Sequence, residues 1–183
     1  MAPKSKPSSK LPNTYAFIDS QNLNLGTQRM GWKLDWRKFR KFLHDKYGVT
    51  HAYMFIGYMI DNESLYEYMH ELGFLVVLKP TIDVSPKQQG DHEEKEKPII
   101  KGNVDAELVL YAMKELPNYE QAIIVSGDGD FFGLAEYLEQ QGKLAQILTP
   151  NWQYSSLLKP FESKITRLDQ KRRQLAYHDR KKK

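Results

Sequence analysis

The chain has 183 residues, a formal net charge of +4, 40% apolar residues and no cysteine, which is enough for one domain with a substantial core and gives no sign of two. The missing cysteines exclude a disulfide framework and a thiolate metal site. No apolar run approaches membrane-spanning length, and the stretch Met1 to Pro12 is basic and polar with no apolar segment behind it, so it does not read as a secretion signal and a cytoplasmic setting is compatible.

Charge is distributed unevenly. Residues 1 to 12 carry three Lys and no acid, and Arg167 to Lys183 carries eight basic and two acidic residues, which leaves the body between them net −5. An acidic body with basic ends suits a protein that holds cations inside and touches phosphates outside, although solvated ends that aid solubility explain the charge equally well. We divide the chain into a disordered basic leader (1–12), a single domain (13–168) and a basic C-terminal tail (169–183).

In chain order, Tyr15 to Ile18 reads as a buried strand that runs straight into Asp19-Ser-Gln-Asn22. Leu34 to Tyr47 has Trp36, Phe39 and Leu43 at helical spacing and reads as an amphipathic helix. Ala52 to Met59 is a second strand, Asn62 to Leu72 a helix stopped by Gly73, and Phe74 to Leu78 a third strand. Thr81 to Pro98 breaks this rhythm with Pro, Gln, Gly and mixed charge and reads as a mobile surface loop (81–98).

Ala106 to Leu116 is a helix ended by Pro117, and Ala122 to Val125 is a short β-branched run that reads as a strand buried on both faces. Ser126-Gly-Asp-Gly-Asp130 follows, with Gly127 and Gly129 permitting a sharp turn, and then a helix from Phe131 to Gln141 with Gly142 as its stop. Lys143 to Leu148 is a fifth strand, Ser155 to Phe161 a short helix and Lys164 to Leu168 a small strand. Alternating strands and helices imply right-handed βαβ units, hence an α/β fold with a mostly parallel sheet of about five strands covered on both faces.

Asp19, Asp128 and Asp130 fall at the carboxyl ends of buried strands, and Asp105 begins a helix whose N-terminus should face the same edge. In open parallel sheets that edge is where ligands bind. Singly, each Asp has a plain structural use: Asp130 as the cap of the next helix, Asp128 as a turn residue, Asp105 as a helix N-terminal charge. Gathered in one crevice they would repel, and a hard divalent ion with oxygen ligands, Mg²⁺ or Mn²⁺, would relieve them. Such a centre suits phosphodiester hydrolysis.

The segments FIDSQNL (Phe17 to Leu23), KGNVDAEL (Lys101 to Leu108) and SGDGDFFGL (Ser126 to Leu134), in this order and on these elements, resemble the NYN-domain family of PIN-like (LabA-like) nucleases. The likeness spans Tyr15 to Leu168. It implies a Rossmann-like three-layer α/β/α fold and a metal-dependent ribonuclease whose acidic site matches Asp19, Asp105, Asp128 and Asp130, with Asn22 orienting Asp19 or a water. One departure stands out: the position where family members often carry a further Asp is Tyr111 here, and Glu107, two residues after Asp105, lies about 200° around the helix from it.

Other candidates are softer. Ser126 either bonds a metal water or phosphate or stabilises its turn, Lys101 either contacts phosphate or is simply a solvated loop cation, and Trp152 and Tyr154 at the same edge either stack on an unpaired base or pack in the core. Lys171, Arg172 and Arg173 in the tail would attract a phosphate backbone without base preference. The expected partner is RNA, single-stranded or structured, with no membrane; a homo-oligomer is left open. The competing reading is an RNA-binding or adaptor module on the same fold with little catalysis.

Overall fold

Six strands pair into one parallel sheet: β1 (Thr14–Asp19), β2 (Val49–Gly57), β3 (Leu75–Lys79), β6 (Gln121–Val125), β7 (Leu144–Thr149) and β8 (Ile165–Arg167). Their order is β3-β2-β1-β6-β7-β8. Ile82–Asp83 (β4) and Ile100–Lys101 (β5) form a separate two-residue antiparallel pair. The computed structural model describes residues 12–58, 62–79, 82–83, 100–101 and 104–178. Residues 1–11 of the leader, most of the 81–98 segment and residues 179–183 of the tail lie outside these.

The chain builds outward from β1 through β2 to β3, then crosses to the other side of β1 and continues through β6, β7 and β8. This is the doubly wound order, and its direction reverses between β1 and β6, where the crevice for ligands opens. β1 is buried along its whole length, and its side chains alternate between faces as a pleated strand requires. Ala16 and Ile18 join a core with Leu23, Phe39, Leu43 and Met69, under the helices α1 (Ser20–Arg29), α2 (Trp36–Tyr47) and α3 (Glu63–Glu71). Tyr15 and Phe17 join the opposite core with Leu108, Ala112, Ala135 and Leu138, under α4 (Asp105–Lys114) and α5 (Phe132–Gln140).

Local chemistry sets the helix ends. Asp35 caps α2 by accepting from the Lys38 N–H at 3.1 Å, and Gly48, with φ 67, closes it. Gly73 and Gly142 take the positive φ expected of helix stops, 84 and 66. Gly127 and Gly129 do not: neither adopts a positive φ, so a turn requirement is not their reason. They are needed for close approach. A Cβ on Gly129 would strike the Ser155 hydroxyl and lie 3.0 Å from Leu157 Cδ1, and one on Gly127 would lie 3.2 Å from Tyr154 Cβ.

The sixth strand, Ile165–Arg167, is the small strand expected at Lys164 to Leu168, and it pairs with β7 at the sheet edge. Two further features differ from the sequence reading. Residues 20–29 form a helix that hydrophobic periodicity missed, since its buried positions are Ser20, Leu23, Gly26 and Thr27, small or polar except one. The basic C-terminal segment begins in packed structure: α6 (Arg172–Leu175) places Leu175 in the core, and Ala176 pairs with Leu34.

The glycine contacts predict a contrast in stability. Gly129→Ala, which forces Ser155 and Leu157 aside, should lower the urea-unfolding free energy by about 1–3 kcal/mol, the usual range for overpacking. Gly133→Ala, on α5 with nothing within 4 Å of the new carbon, should leave it unchanged or raise it by about 0.5–1 kcal/mol. Equal effects in the two variants would contradict this packing.

Candidate metal centre

The site assembles where β1 and β6 end side by side. Asp19, the last residue of β1, caps α1: its Oδ1 accepts from the Asn22 N–H at 3.0 Å. Its Oδ2 accepts from the Ser126 hydroxyl at 3.2 Å, just beyond the end of β6. Asn22 Oδ1 in turn accepts from the Gly127 N–H at 2.9 Å, and Ser126 Oγ accepts from the Asp128 N–H at 3.1 Å. These bonds lock the Ser126–Asp128 turn to the start of α1.

Asp128 then accepts from the Asp130 N–H at 3.0 Å, the turn-residue role expected of it. Asp130 is not a helix cap: α5 begins after Phe131 and carries no side-chain cap bond, so the Asp130 carboxylate projects exposed beside its neighbours. Asp105, first residue of α4, arrives from across the sheet. Carboxylate oxygens of Asp105, Asp128 and Asp130 lie within 4.8 Å of one another. The expected convergence at a single rim is therefore present for these three.

Asp19 lies behind them, 5% exposed, with its oxygens already bonded to Asn22 and Ser126. Burial pushes its carboxyl above the ordinary value of 3.8; the Asn22 N–H and the Ser126 hydroxyl pull the other way, while the charges of Asp105 and Asp128 add to the upward shift. Ser126, bonded to both Asp19 and the Asp128 N–H, sets this fourth carboxyl next to the turn, although it is not one of the grouped three.

The neighbouring residues sort clearly. Ser126 is 1% exposed and its hydroxyl both donates to Asp19 and accepts from Asp128, so of its two readings the turn-stabilising one holds and no free hydroxyl faces a phosphate. Tyr111 packs its ring against Tyr53 and Phe55, at centroid distances of 5.8 and 5.6 Å. Glu107 pairs with Lys79 at 2.8 Å, a close ionic contact. Neither adds a carboxylate to the grouped three among the described residues. Lys101 contributes backbone to β5, and its side chain lies outside the described residues.

Trp152 is 58% exposed in the loop after β7, at the same sheet edge, and so does not serve the core. Lys171 is half-buried and Arg172 and Arg173 are exposed. Arg172 Nη2 donates to the Gly31 carbonyl at 3.0 Å, which sets this basic turn beside the end of α1 rather than at the acidic centre itself. Between the two lies a pocket of about 100 Å³ bordered by α1, Gly127 and the loop after β7. Arg29 is on its rim, a residue the sequence reading passed over because α1 was not recognised.

The donor set fits a hard divalent cation: three carboxylates, all oxygen, at one rim, with the nitrogen and sulfur ligands of softer metals absent among them. Added Mg²⁺ or Mn²⁺ should raise the thermal midpoint of the protein, and Asp130→Asn should abolish most of that rise while the metal-free midpoint stays level or increases. Differential scanning fluorimetry with and without chelator reads both; an undiminished rise in the variant would remove Asp130 from the centre.

A pH dependence follows from Asp19. Because its folded pKa is raised, the folded metal-free state binds more protons than the unfolded one between 3.8 and the raised value, and stability falls as pH rises through that window. Asp19→Asn cannot ionise there, so the stability of the variant minus that of wild type should increase as pH rises across the window, and flatten above it. Urea melts in chelator at a series of pH values measure the difference; a flat difference would contradict the raised carboxyl.

Comparison with known proteins agrees with this geometry. A solved protein of unknown function from Vibrio parahaemolyticus RIMD 2210633 superposes with a TM-score of 0.70 over 93% of this chain and 99% of its own, at 21% identity, and so shares the fold. The "Low amplitude and bright protein LabA" of Synechococcus elongatus is 25% identical over 126 residues, covering 67% of this chain and 65% of its own length. The chain thus spans slightly under two thirds of that relative. The NYN domain model matches residues 13–164, so the chain belongs to the NYN-domain family, whose members are typically nucleases on a PIN-like fold.

Proposed function

We propose that this protein is a metal-dependent ribonuclease that hydrolyses RNA phosphodiester bonds at the β1/β6 rim, in a cytoplasmic setting. The observation that carries the reading is the approach of the Asp105, Asp128 and Asp130 carboxylates to within 4.8 Å at the switch point of a doubly wound sheet. Those three would hold Mg²⁺ or Mn²⁺, which supplies charge neutralisation at the phosphate and a more acidic water. Asp19 adds negative charge from behind and, through Ser126, fixes the turn that presents Asp128. Asn22 holds the same turn by accepting from the Gly127 N–H.

Recruitment is the task of the positive groups. Lys171, Arg172 and Arg173 offer a phosphate backbone charge without base preference, and Trp152 offers a face for an unpaired base. RNA binding on this account weakens as salt rises. No helix among the described residues is long and apolar enough to cross a membrane.

A second reading has its own support. Tyr111 stands in an aromatic cluster where the family pattern often has an Asp, and Glu107 is paired with Lys79, which is the arrangement expected of an RNA-binding module with weak catalysis. Cleavage of mixed single-stranded and structured RNA with Mg²⁺, Mn²⁺ or chelator separates the two. We expect cation-dependent cleavage that falls about a hundredfold or more in Asp128→Asn and Asp105→Asn, the scale of losing an electrostatic group that acts on the transition state. Salt-sensitive RNA binding without cleavage, unaltered in those variants, would instead establish the binding module.

A further inference from the structure

The pocket beside the acidic rim is used by none of the roles assigned so far. Its walls are Asn22, Gly26 and Arg29 from α1, Gly127 from the turn after β6, and Gln153 and Tyr154 from the loop after β7. The pocket is built rather than incidental. Gly26 is bare where a Cβ would collide with the Pro150 ring, and Asn151 Nδ2 donates to the Gly26 carbonyl at 2.8 Å while Asn151 Oδ1 accepts from the Gln153 N–H at 2.7 Å. Two elements distant in sequence are thereby clamped around a small opening.

Size and chemistry narrow what it takes. A volume of about 100 Å³ is far below the ~300 Å³ at which pockets for drug-sized ligands begin. It has room on the order of one planar ring. At its inner end Asn22 and Gly127 adjoin Asp128, so a group seated there is one residue from the acidic centre. At its outer end Arg29 is exposed, and among the described residues no carboxylate is ion-paired with it.

Beyond Arg29 the positive charge continues, since Arg172 bonds the Gly31 carbonyl two residues further on. Aromatic surface comes from half-buried Tyr154, and an amide that can read a base edge comes from exposed Gln153. An acidic centre, a ring-sized pocket and a line of cations follow one another along α1. That order is the order of reacting phosphate, neighbouring base and onward phosphates along a single strand.

We propose that this pocket is the subsite for the base of the nucleotide next to the scissile phosphate of single-stranded RNA: Arg29 binds that nucleotide's phosphate, and Gln153 and Tyr154 contact its base and so set base preference. The assignment rests on the nuclease reading for the position of the scissile phosphate. It does not rest on it for binding, and the test uses binding. The full chain in chelator is titrated with labelled hexanucleotides of A, C or U by fluorescence anisotropy across a salt series, for wild type, Arg29→Gln and Gln153→Ala, with thermal midpoints confirming that all three are folded.

Arg29→Gln should weaken all three oligonucleotides about tenfold, the scale of one hydrogen bond to a charged group, and should reduce the log–log salt slope by about 0.7, the share of one single-strand phosphate. Gln153→Ala should reorder or flatten the ranking of A, C and U while keeping the wild-type slope. If both variants match wild type in affinity, slope and ranking while wild-type protein cleaves RNA, the pocket assignment is overturned and the nuclease reading stands. If the variants behave as expected but no cation supports cleavage, the subsite stands and the nuclease reading falls. Wild-type protein that binds none of the oligonucleotides overturns both.

Discussion

Mutual repulsion of carboxylates is the constraint around which this fold is arranged. The carboxylate oxygens of Asp105, Asp128 and Asp130 lie within 4.8 Å of one another, close enough for like charges to repel, with water and salt screening part of this at exposed Asp130. A marginally stable domain keeps such a group only if something offsets it. Part of the offset is in the scaffold. Asp19 stands at the start of α1, Asp105 at the start of α4, and Asp128 and Asp130 in the turn that leads into α5. Each carboxylate is thus near the positive end of a helix macrodipole. A divalent cation bound there would supply the remainder.

The doubly wound topology is what makes this geometry accessible. Because the chain reverses direction between β1 and β6, α1 and α5 leave their strands toward opposite faces, and the crevice between the two strand ends stays open. Helices on one face only would close it. α4 belongs to the second face and brings Asp105 in from above the sheet, so three separate segments of chain meet without any of them crossing the crevice.

How far the sequence discloses this depends on the physical signal each part leaves. Buried parallel strands leave continuous apolar runs, so Tyr15 to Ile18 and Ala122 to Val125 are visible at once, and an Asp that ends such a run marks the rim. Helix stops at Gly73 and Gly142 are legible because only a positive φ suits them. The same rule misleads at Gly127 and Gly129, where the reason for glycine is the approach of Tyr154 and Ser155, contacts between segments nearly thirty residues apart. α1 leaves almost no apolar stripe because Leu23 is its one large buried residue on the sheet, while Gly26 packs against Pro150 and Asn151 of the loop after β7. The packed start of the basic segment is hidden for a related reason: Leu175 and Ala176 are two apolar residues in a run of charge, too few for a periodic pattern, yet enough to seat α6 on α2.

The separation of charge along the chain then acquires a spatial meaning. The negative body draws its carboxylates to the β1/β6 rim, while the basic segment, anchored by Arg172 on Gly31 and by Lys38 on the Ala176 carbonyl at 2.7 Å, is held beside the exit of α1. A free tail of equal charge would sample all directions, including the acidic centre, where its lysines would compete with a metal ion for the carboxylates. Fixing Leu175 in the core prevents that for residues up to Ala176 and confines their charge to one side of the crevice. The basic turn is thus held beside the end of α1 rather than among the carboxylates, and the short helix that accomplishes this is specified by two apolar residues.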